Sequence, residues 1–289
     1  MDLKIILVTG ANGQLGREIK DISERFPQYK FVFTNRNDLD VAELDSVEKI
    51  VNIHPDYIIH CAAYTAVDKA ELESELANQN NVEACKHLVA AAAKCQATLI
   101  HFSSDYVYHL VKKGPLIESD PVSPQSVYAK TKRASEEVVS TLHKHIILRT
   151  SWVYSKYGNN FVNTMLRLAE TKKELTIVGD QIGSPTYAGD LANATMKIIT
   201  ALDTRHNVET RYGIYNYSNE GTLSWFDFAH AIFELKGIPM VLSKTTTAEY
   251  NAPAPRPLWS LMSKNKIKRT FGVDVPHWRE ALKRCLDVK

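Results

Sequence analysis

The 289-residue sequence lacks the signatures of several protein classes. It has four cysteines, none in a C-x-x-C spacing, which argues against a zinc site or a disulfide framework. The apolar run before Gly10 is too short for a signal peptide or a membrane span, and there is no long repeat or low-complexity segment. The net charge of +2 gives no basic footprint of a nucleic-acid-binding protein. These absences predict a cytoplasmic globular protein that binds neither membrane nor nucleic acid.

What the sequence does contain is a regular alternation of strand and helix patterns. Strand patterns occur at residues 5–8, 30–34, 57–63, 98–102, 145–150 and 212–217. Alternation of this kind predicts an α/β fold, a Rossmann-type doubly wound parallel sheet. We expect a cofactor-binding domain at residues 1–150 and a smaller α/β substrate-binding region at residues 151–289, of which segments such as 175–216 return to the first sheet.

A glycine-rich turn joins the first strand to the first helix. Glycines let the backbone approach a pyrophosphate, and a helix N-terminus offers free N–H groups. The spacing is G-x-x-G-x-x-G rather than G-x-G-x-x-G, so a plain glycine turn is the alternative. The cofactor-binding residues predicted at this junction are Gly10, Asn12, Gly13, Gln14, Leu15 and Gly16.

The residues after the second and third strands bear on which cofactor is bound. An NAD-preferring site places an acidic residue after the second strand, about 20 residues past the glycines. Here Asn35 is followed by Arg36, which favours the 2′-phosphate of NADPH; NADH is the alternative if Arg36 is a solvated surface residue. Small residues at the end of the third strand leave room for a cofactor. The further cofactor-binding residues predicted are Asp40 and Val41, near the adenine, and Ala62, Ala63 and Tyr64.

A tyrosine and a lysine four residues apart follow the fourth strand. Positions i and i+4 share one face of a helix, so Tyr128 and Lys132 point the same way. A free tyrosine has a pKa of about 10, and an ammonium one helical turn away is expected to lower it. With the Ser104 hydroxyl opposite, the pair predicts a carbonyl-reduction site. The alternative is a packing tyrosine beside a solvated lysine.

Several residues of the second half are candidates for substrate binding. Trp152 directly follows a strand end, where ligands bind, although tryptophans often fill cores. Asn160 can cap a helix or bond a sugar hydroxyl, and residues 179–185 read as a loop shaped around a ligand. Arg256, within a rigid proline-rich segment, can fork onto a pyrophosphate or be a surface residue.

The glycine loop, Ser104 and the Tyr128–Lys132 pair resemble those of the extended short-chain dehydrogenases/reductases. Longer segments are similar, within that superfamily, to the dTDP-4-dehydrorhamnose reductase family: residues 60–71, 102–108, 149–154, 158–165, 180–186 and 256–257. The resemblance covers nearly the whole chain. It implies NAD(P)H-dependent reduction of the 4-keto group of dTDP-4-dehydro-β-L-rhamnose to dTDP-β-L-rhamnose, the last step of dTDP-rhamnose synthesis for surface polysaccharide.

The same resemblance implies roles for individual residues. Tyr128 would be the proton donor, and Lys132 would bind the nicotinamide ribose and tune Tyr128. Ser104 stands where many members have threonine, so its hydroxyl role is kept. Asn78 matches an asparagine of mainly structural role. The substrate-binding residues implied are Ser104, Asp105, Trp152, Asn160, Gln181 and Arg256.

The chain also departs from the family pattern. His109-Leu110 replaces an Asp-Gly-type turn. Some members bind Mg²⁺ through glutamates at a subunit interface; Glu18 fits one position, but Gly189, followed by Asp190, stands where another glutamate is expected. We therefore assign no metal ligand and regard a homodimer as possible. Two other functions stay open: a non-catalytic NADP-binding regulatory subunit, and a reductase or epimerase of another nucleotide sugar.

Overall fold

A computed structural model describes residues 3–109, 114–204 and 208–288 of the chain; Leu110, part of the expected loop departure, lies outside them. The first half alternates strands and helices in this order: β1 (Lys4–Thr9), α1 (Gln14–Ser23), β2 (Tyr29–Thr34), α2 (Ser46–Ile53), β3 (Tyr57–His60), α3 (Val67–Ala70), α4 (Ser74–Asn78), a π-helical turn (Gln79–Glu83), α5 (Ala84–Cys95), β4 (Thr98–Ser104), a 3₁₀ turn (Asp105–Val107), α6 (Val127–Val139) and β5 (His145–Thr150).

The second half has shorter strands between its helices. Its elements are β6 (Val153–Tyr154), α7 (Phe161–Ala169), β7 (Glu174–Val178), β8 (Ile182–Gly183), β9 (Thr186–Tyr187), α8 (Ala188–Thr204), a 3₁₀ turn (Val208–Arg211), β10 (Gly213–Tyr217), β11 (Leu223–Ser224), α9 (Trp225–Lys236), β12 (Val241–Thr245), α10 (Thr247–Tyr250), α11 (Asn265–Phe271) and α12 (Trp278–Leu286).

Six parallel strands form the central sheet, in the order β2-β1-β3-β4-β5-β10. The predicted doubly wound parallel sheet is confirmed. The chain goes from β1 to β2 at one edge of the sheet and then crosses back past β1 to β3, so the direction of strand addition reverses between β1 and β3. In open α/β sheets, ligands bind beside such a reversal, at the carboxyl ends of the strands.

Both faces of the sheet are covered, which explains the unbroken apolar runs. Ile6 and Val8 of β1 pack into a core shared with α1 and α8, whereas Leu7 packs into a second core with α2 and α5. A strand buried on both faces has no polar side to alternate with.

A third core lies in the second half of the chain. It joins α7, α9 and α12 to β7, around the buried Phe228 and Tyr154, and β7 pairs in parallel with β12. No helix among the described residues is both long and apolar enough to cross a membrane.

Candidate active site

A cavity of about 580 Å³ lies at the carboxyl ends of β1, β3, β4 and β5. The glycine turn forms one wall. Gly10 adopts φ +67°, and a Cβ there would lie 2.6 Å from the Ala62 backbone nitrogen, so only glycine fits. No side chain of the described residues caps α1 at Gly13, which leaves first-turn amides of this helix available to an anion.

Ser104, Tyr128 and Lys132 line the same cavity, from two neighbouring elements. Ser104 ends β4. Tyr128 and Lys132 lie on α6, whose first turn is capped by the Ser126 hydroxyl, which accepts from the Ala129 amide at 3.1 Å. The predicted i, i+4 geometry therefore brings the three side chains to one place.

The expected lowering of the Tyr128 pKa is wrong for the protein without ligands. Burial raises the pKa of Tyr128 to about 12; the Ser104 hydroxyl opposes this rise, and the Asp105 carboxylate adds to it. Lys132 is not among the groups that shift it, whereas the Lys132 charge does act on His60, Cys85 and His101. Tyr128 is therefore a neutral phenol throughout the physiological range.

Lys132 is itself buried, beside a cluster of His60, Cys85 and His101. Burial lowers the pKa of Lys132, while Cys85 and Glu136 raise it. Burial, and then the Lys132 charge, lower the pKa of His60 to about 3 and that of His101 well below its usual value, so both rings are neutral.

The atoms of this cluster that could bind a metal lie within 4.8 Å of one another, but they already have partners. His60 Nδ1 contacts the Thr9 hydroxyl at 2.9 Å, and His101 contacts the Ser135 hydroxyl at 3.0 Å and Cys85 Sγ at 3.8 Å. With the Lys132 ammonium alongside, the cluster is unfavourable for a cation.

A second, larger cavity of about 840 Å³ adjoins the first. Tyr106 lines both cavities, and its ring meets Tyr128 edge-on, with 5.7 Å between ring centroids. Gln181 and Arg256 line the larger cavity, as do aromatic side chains such as Trp225.

An ion pair orients Arg256 at this cavity. Its Nη2 donates to the Asp68 carboxylate at 2.7 Å, and Nη1 donates to the Ala254 carbonyl at 3.1 Å. Asp68 also accepts from the Ala254 amide. A guanidinium has five N–H donors, so further donors stay available for an anionic ligand.

Trp152 stands between the two cavities. It lines the smaller one and stacks on Trp225 with ring centroids 3.7 Å apart. Its φ of +49° is unusual for a bulky residue and is the type of backbone strain found at functional sites. Gly183 permits the packing, since a Cβ there would lie 3.0 Å from the Trp152 ring.

Comparisons with known proteins agree with this geometry. The chain matches the family described as the RmlD substrate binding domain over residues 4–289. The dTDP-4-dehydrorhamnose reductase of Aggregatibacter actinomycetemcomitans is 41% identical, and the match covers 96% of this chain and 97% of that protein. This chain belongs to the dTDP-4-dehydrorhamnose reductase family. The resemblance inferred from the sequence motifs is confirmed.

Solved structures of the family have the same fold. The Clostridium acetobutylicum protein has a TM-score of 0.91 at 41% identity, covering 98% of each chain. The Bacillus anthracis reductase, solved in complex with NADP, has a TM-score of 0.92 at 36% identity, covering 99% of each chain.

The structure divides the predicted site residues of this reductase-family chain into three groups. Those lining the smaller cavity are Gly13, Gln14, Leu15, Ala63, Ser104, Asp105, Tyr128, Lys132, Trp152 and Asn160. Gln181 and Arg256 line the larger one. Those lining neither are Gly10, Asn12, Gly16, Asn35, Arg36, Asp40, Val41, Ala62 and Tyr64. Gly10 and Ala62 nevertheless shape the turn beneath the smaller cavity.

Asn160 is engaged in several hydrogen bonds within the protein. Its Oδ1 accepts from the Asn163 amide at 3.0 Å and caps α7. Its Nδ2 donates to Gln14 Oε1 at 3.0 Å and to the carbonyls of Ser155 and Tyr157. The side chain is therefore placed to position Gln14 over the glycine turn, and the capping interpretation explains it.

Sequence reasoning missed Asn81, which anchors the helix of Tyr128. Asn81 is buried in the π-helical turn; it accepts from the Tyr64 amide and donates to the Thr131 hydroxyl at 3.0 Å. Asn78, the asparagine compared with the family, is exposed. π-Helical turns often occur at functional sites, but the sequence offers no signal for this one.

The carboxylates considered for Mg²⁺ are engaged within the chain. Glu18 is buried and accepts from the Ser155 hydroxyl and from Tyr187. Asp190 accepts from Arg284 at 2.7 Å and from Asn219. Among the described residues these groups form no metal-ligand cluster with each other, so they do not fit a Mg²⁺ site of the single chain.

Proposed function

We propose that this protein reduces the 4-keto group of dTDP-4-dehydro-β-L-rhamnose with NADPH, producing dTDP-β-L-rhamnose. The names of relatives about 40% identical over nearly the full chain support the reaction and the sugar. The single observation that carries the proposal is that Ser104, Tyr128 and Lys132 line one cavity with the glycine turn. We take residues 1–150 as the cofactor-binding part and residues 151–289 as the main contributor to substrate binding.

The cofactor supplies a hydride when it is bound in the smaller cavity. The Gly10–Gly16 turn and the N-terminus of α1 hold its pyrophosphate. Lys132 offers a buried ammonium to the nicotinamide ribose. Tyr128 holds its phenol proton until charge develops on the substrate oxygen and then donates it, which contributes roughly 10²–10⁴-fold to the rate.

The larger cavity accommodates the nucleotide part of the substrate. Arg256, oriented by Asp68, offers its remaining donors to the pyrophosphate. Trp152, at the junction of the cavities, lies against the sugar and excludes water from the reacting carbonyl. Enclosure strengthens electrostatic interactions because it lowers the local dielectric.

NADPH is our proposed cofactor, with NADH as a weaker one. Arg36 is largely exposed and uses its Nε on the Asp40 carboxylate at 2.8 Å. Because this contact uses Nε, the N–H groups of the two terminal nitrogens are the donors we assign to a 2′-phosphate. The NADP-bound Bacillus anthracis relative supports this preference.

The test is oxidation of NADPH by the purified protein on addition of enzymatically made dTDP-4-dehydrorhamnose, with NADH in parallel. We expect turnover with both cofactors and a higher kcat/KM with NADPH than with NADH. The Arg36→Ala variant should reduce the ratio of these two kcat/KM values. A UDP-linked 4-keto sugar is the matched substrate control. Tight NADPH binding without turnover would overturn the proposal in favour of a regulatory subunit, and preference for the UDP sugar would favour another nucleotide sugar.

A further inference from the structure

The protein occupies the proton and one lone pair of the Ser104 hydroxyl, and Tyr128 lies within reach of the same oxygen. A hydroxyl has one proton to donate and two lone pairs to accept with. Ser104 Oγ accepts from the Tyr106 amide at 3.2 Å and donates to Asp105 Oδ1 at 3.1 Å. Its only proton is therefore committed to Asp105. A substrate carbonyl oxygen needs a donor, so Ser104 cannot bond it in this arrangement.

Asp105, which controls that proton, is an unusual carboxyl. It is 2% exposed and lines the smaller cavity beside Ser104 and Tyr128. Its second oxygen, Oδ2, is buried without a hydrogen-bond partner among the described residues. Burial raises the pKa of Asp105 to about 7, although the hydroxyls of Ser260 and Ser104 oppose the rise. The side chain therefore exists in both protonation states near neutral pH.

We propose that Asp105 is a positioning residue that sets the direction of the Ser104 hydroxyl. As a carboxylate it holds the Ser104 proton, because a hydrogen bond to an ionised acceptor is about twice as strong as one to a neutral acceptor. When Asp105 takes up a proton from solvent, Ser104 is released to donate to the substrate carbonyl oxygen. This inference rests on the proposed reduction and adds to it that Ser104 holds that oxygen.

With the exception of Lys132, the other groups around Asp105 keep their charge state while it titrates. They are Tyr106 on the same turn, Tyr128 and Lys132 on α6, Arg256, and Asp68. Burial raises the pKa of both tyrosines far above neutral, so they stay uncharged. Arg256 and Asp68 are paired, and the hydrogen bond from Arg256 lowers the Asp68 pKa. Burial lowers the pKa of Lys132, so its titration is the other possible source of a pH dependence. The Ser104 variants separate the two sources, because a pH dependence caused by Lys132 would persist in Ser104→Ala.

The experiment is the single-turnover rate of NADPH oxidation between about pH 5.5 and pH 9, for the full chain with NADPH and dTDP-4-dehydrorhamnose. We expect the wild-type rate to fall about tenfold as the pH rises through about 7, a modest share of the 10²–10³-fold value of one oxyanion donor. Asp105→Asn should remove this fall. Ser104→Ala should react slowly at every pH, with no fall in rate as the pH rises. Ser104→Thr, which keeps a hydroxyl, should show the same fall as the wild type. Asp45→Asn, at an exposed site that lines neither cavity, is the matched control and should retain the wild-type profile.

Three outcomes would overturn the inference: a wild-type rate without this fall, a fall that persists in Asp105→Asn, or one that persists in Ser104→Ala. The Ser104→Ala and Ser104→Thr pair decides the matter if Asp105→Asn does not fold. Absence of turnover in every protein at every pH would refute the proposed function instead. The ¹³C signal of the Asp105 carboxyl in the NADPH complex then decides, since ionisation complete below about pH 5 would overturn the inference.

Discussion

Burial, more than neighbouring charge, sets the acid–base properties of the site residues. Tyr128 is half-buried at the end of the sheet, and its pKa rises to about 12 despite the lysine one turn away. For a reduction this is favourable, because the phenol must carry a proton when the hydride arrives. The i, i+4 spacing correctly placed the two side chains, but the surroundings that set the pKa come from distant segments.

Asp105 links its protonation to the stability of the fold. Its pKa is about 7 in the folded chain, against about 3.9 when unfolded. Between these values the native state binds more protons than the unfolded state, so this group lowers stability as the pH rises through that window. Asparagine carries no such charge. We expect the free energy of unfolding of Asp105→Asn, relative to wild type, to increase by roughly 2–4 kcal/mol between about pH 4 and pH 8.

Urea unfolding of both proteins at several pH values measures this gap, which is the difference in the free energy of unfolding between Asp105→Asn and the wild type. A gap that is constant with pH would mean that Asp105 is ionised throughout, contrary to our account. The sequence alone did not reveal this, since Asp105 follows Ser104 in a recognisable motif but its surroundings include Ser260, which is more than 150 positions away.

At the scale of the element, the helix α6 is held by contacts from three sides. Asn81 bonds Thr131 at 3.0 Å, and the Glu71 carboxylate accepts from the Val127 amide at 2.8 Å, at the helix N-terminus. Towards its other end, Glu136 forms two hydrogen bonds to the buried Arg149 of β5, at 2.8 and 2.7 Å. These contacts fix the direction in which Tyr128 and Lys132 project.

The buried Glu136–Arg149 pair gives a prediction about stability. Glu136→Gln removes the partner charge and leaves the Arg149 guanidinium buried and unpaired, which costs about 3–5 kcal/mol in such pairs. Glu137→Gln, one position along the same helix and largely exposed, should cost less than about 1 kcal/mol. Denaturant unfolding of the two variants would compare them directly. Equal effects would contradict a structural role for the buried pair.

The sequence predicted the main elements of the first half well, because buried parallel strands read as apolar runs. It predicted the strand at residues 212–217 too, and it predicted that segments such as 175–216 return to the first sheet, but it could not say which strand is the neighbour. β10 pairs with β5, some 60 residues earlier in the chain, after an excursion through α7, β7 and α8. Local pattern carries no information on such a pairing. The hydrophobic periodicity of the sequence likewise does not reveal the π-helical turn, in which Asn81 is buried while Asn78, just before it, is exposed.

At the scale of the whole molecule, the two cavities meet at Tyr106, and Arg256, which lines the larger cavity, pairs with Asp68 from a distant part of the chain. Asp68 lies on α3, next to Val67 of the smaller cavity, whereas Arg256 belongs to the segment before α11. The pair therefore couples the loop after β3 to the wall of the larger cavity. The sequence suggested an arginine for the substrate but not the carboxylate that orients it.

Loss of the Asp68–Arg256 ion pair should weaken substrate binding more than cofactor binding. For Asp68→Asn we expect the KM for the nucleotide sugar to rise about tenfold, because Arg256 loses its charged partner and its fixed orientation. The Kd for NADPH should be unchanged. Glu234→Gln, which removes a similar but exposed ion pair with Arg279, is the matched control. A larger change in NADPH affinity than in KM would contradict the assignment of the larger cavity to the substrate.

The central claim is that a hydride passes to the sugar carbonyl carbon in a site where Tyr128 supplies the proton. The most direct measurement uses NADPH deuterated at the transferred position and analyses the nucleotide sugar by mass spectrometry and NMR. We predict dTDP-rhamnose with one deuterium at C4 from the wild-type protein, and none from Tyr128→Phe, which should still bind NADPH. Unchanged dTDP-4-dehydrorhamnose with the wild type, or labelled product formed equally well by Tyr128→Phe, would contradict the account.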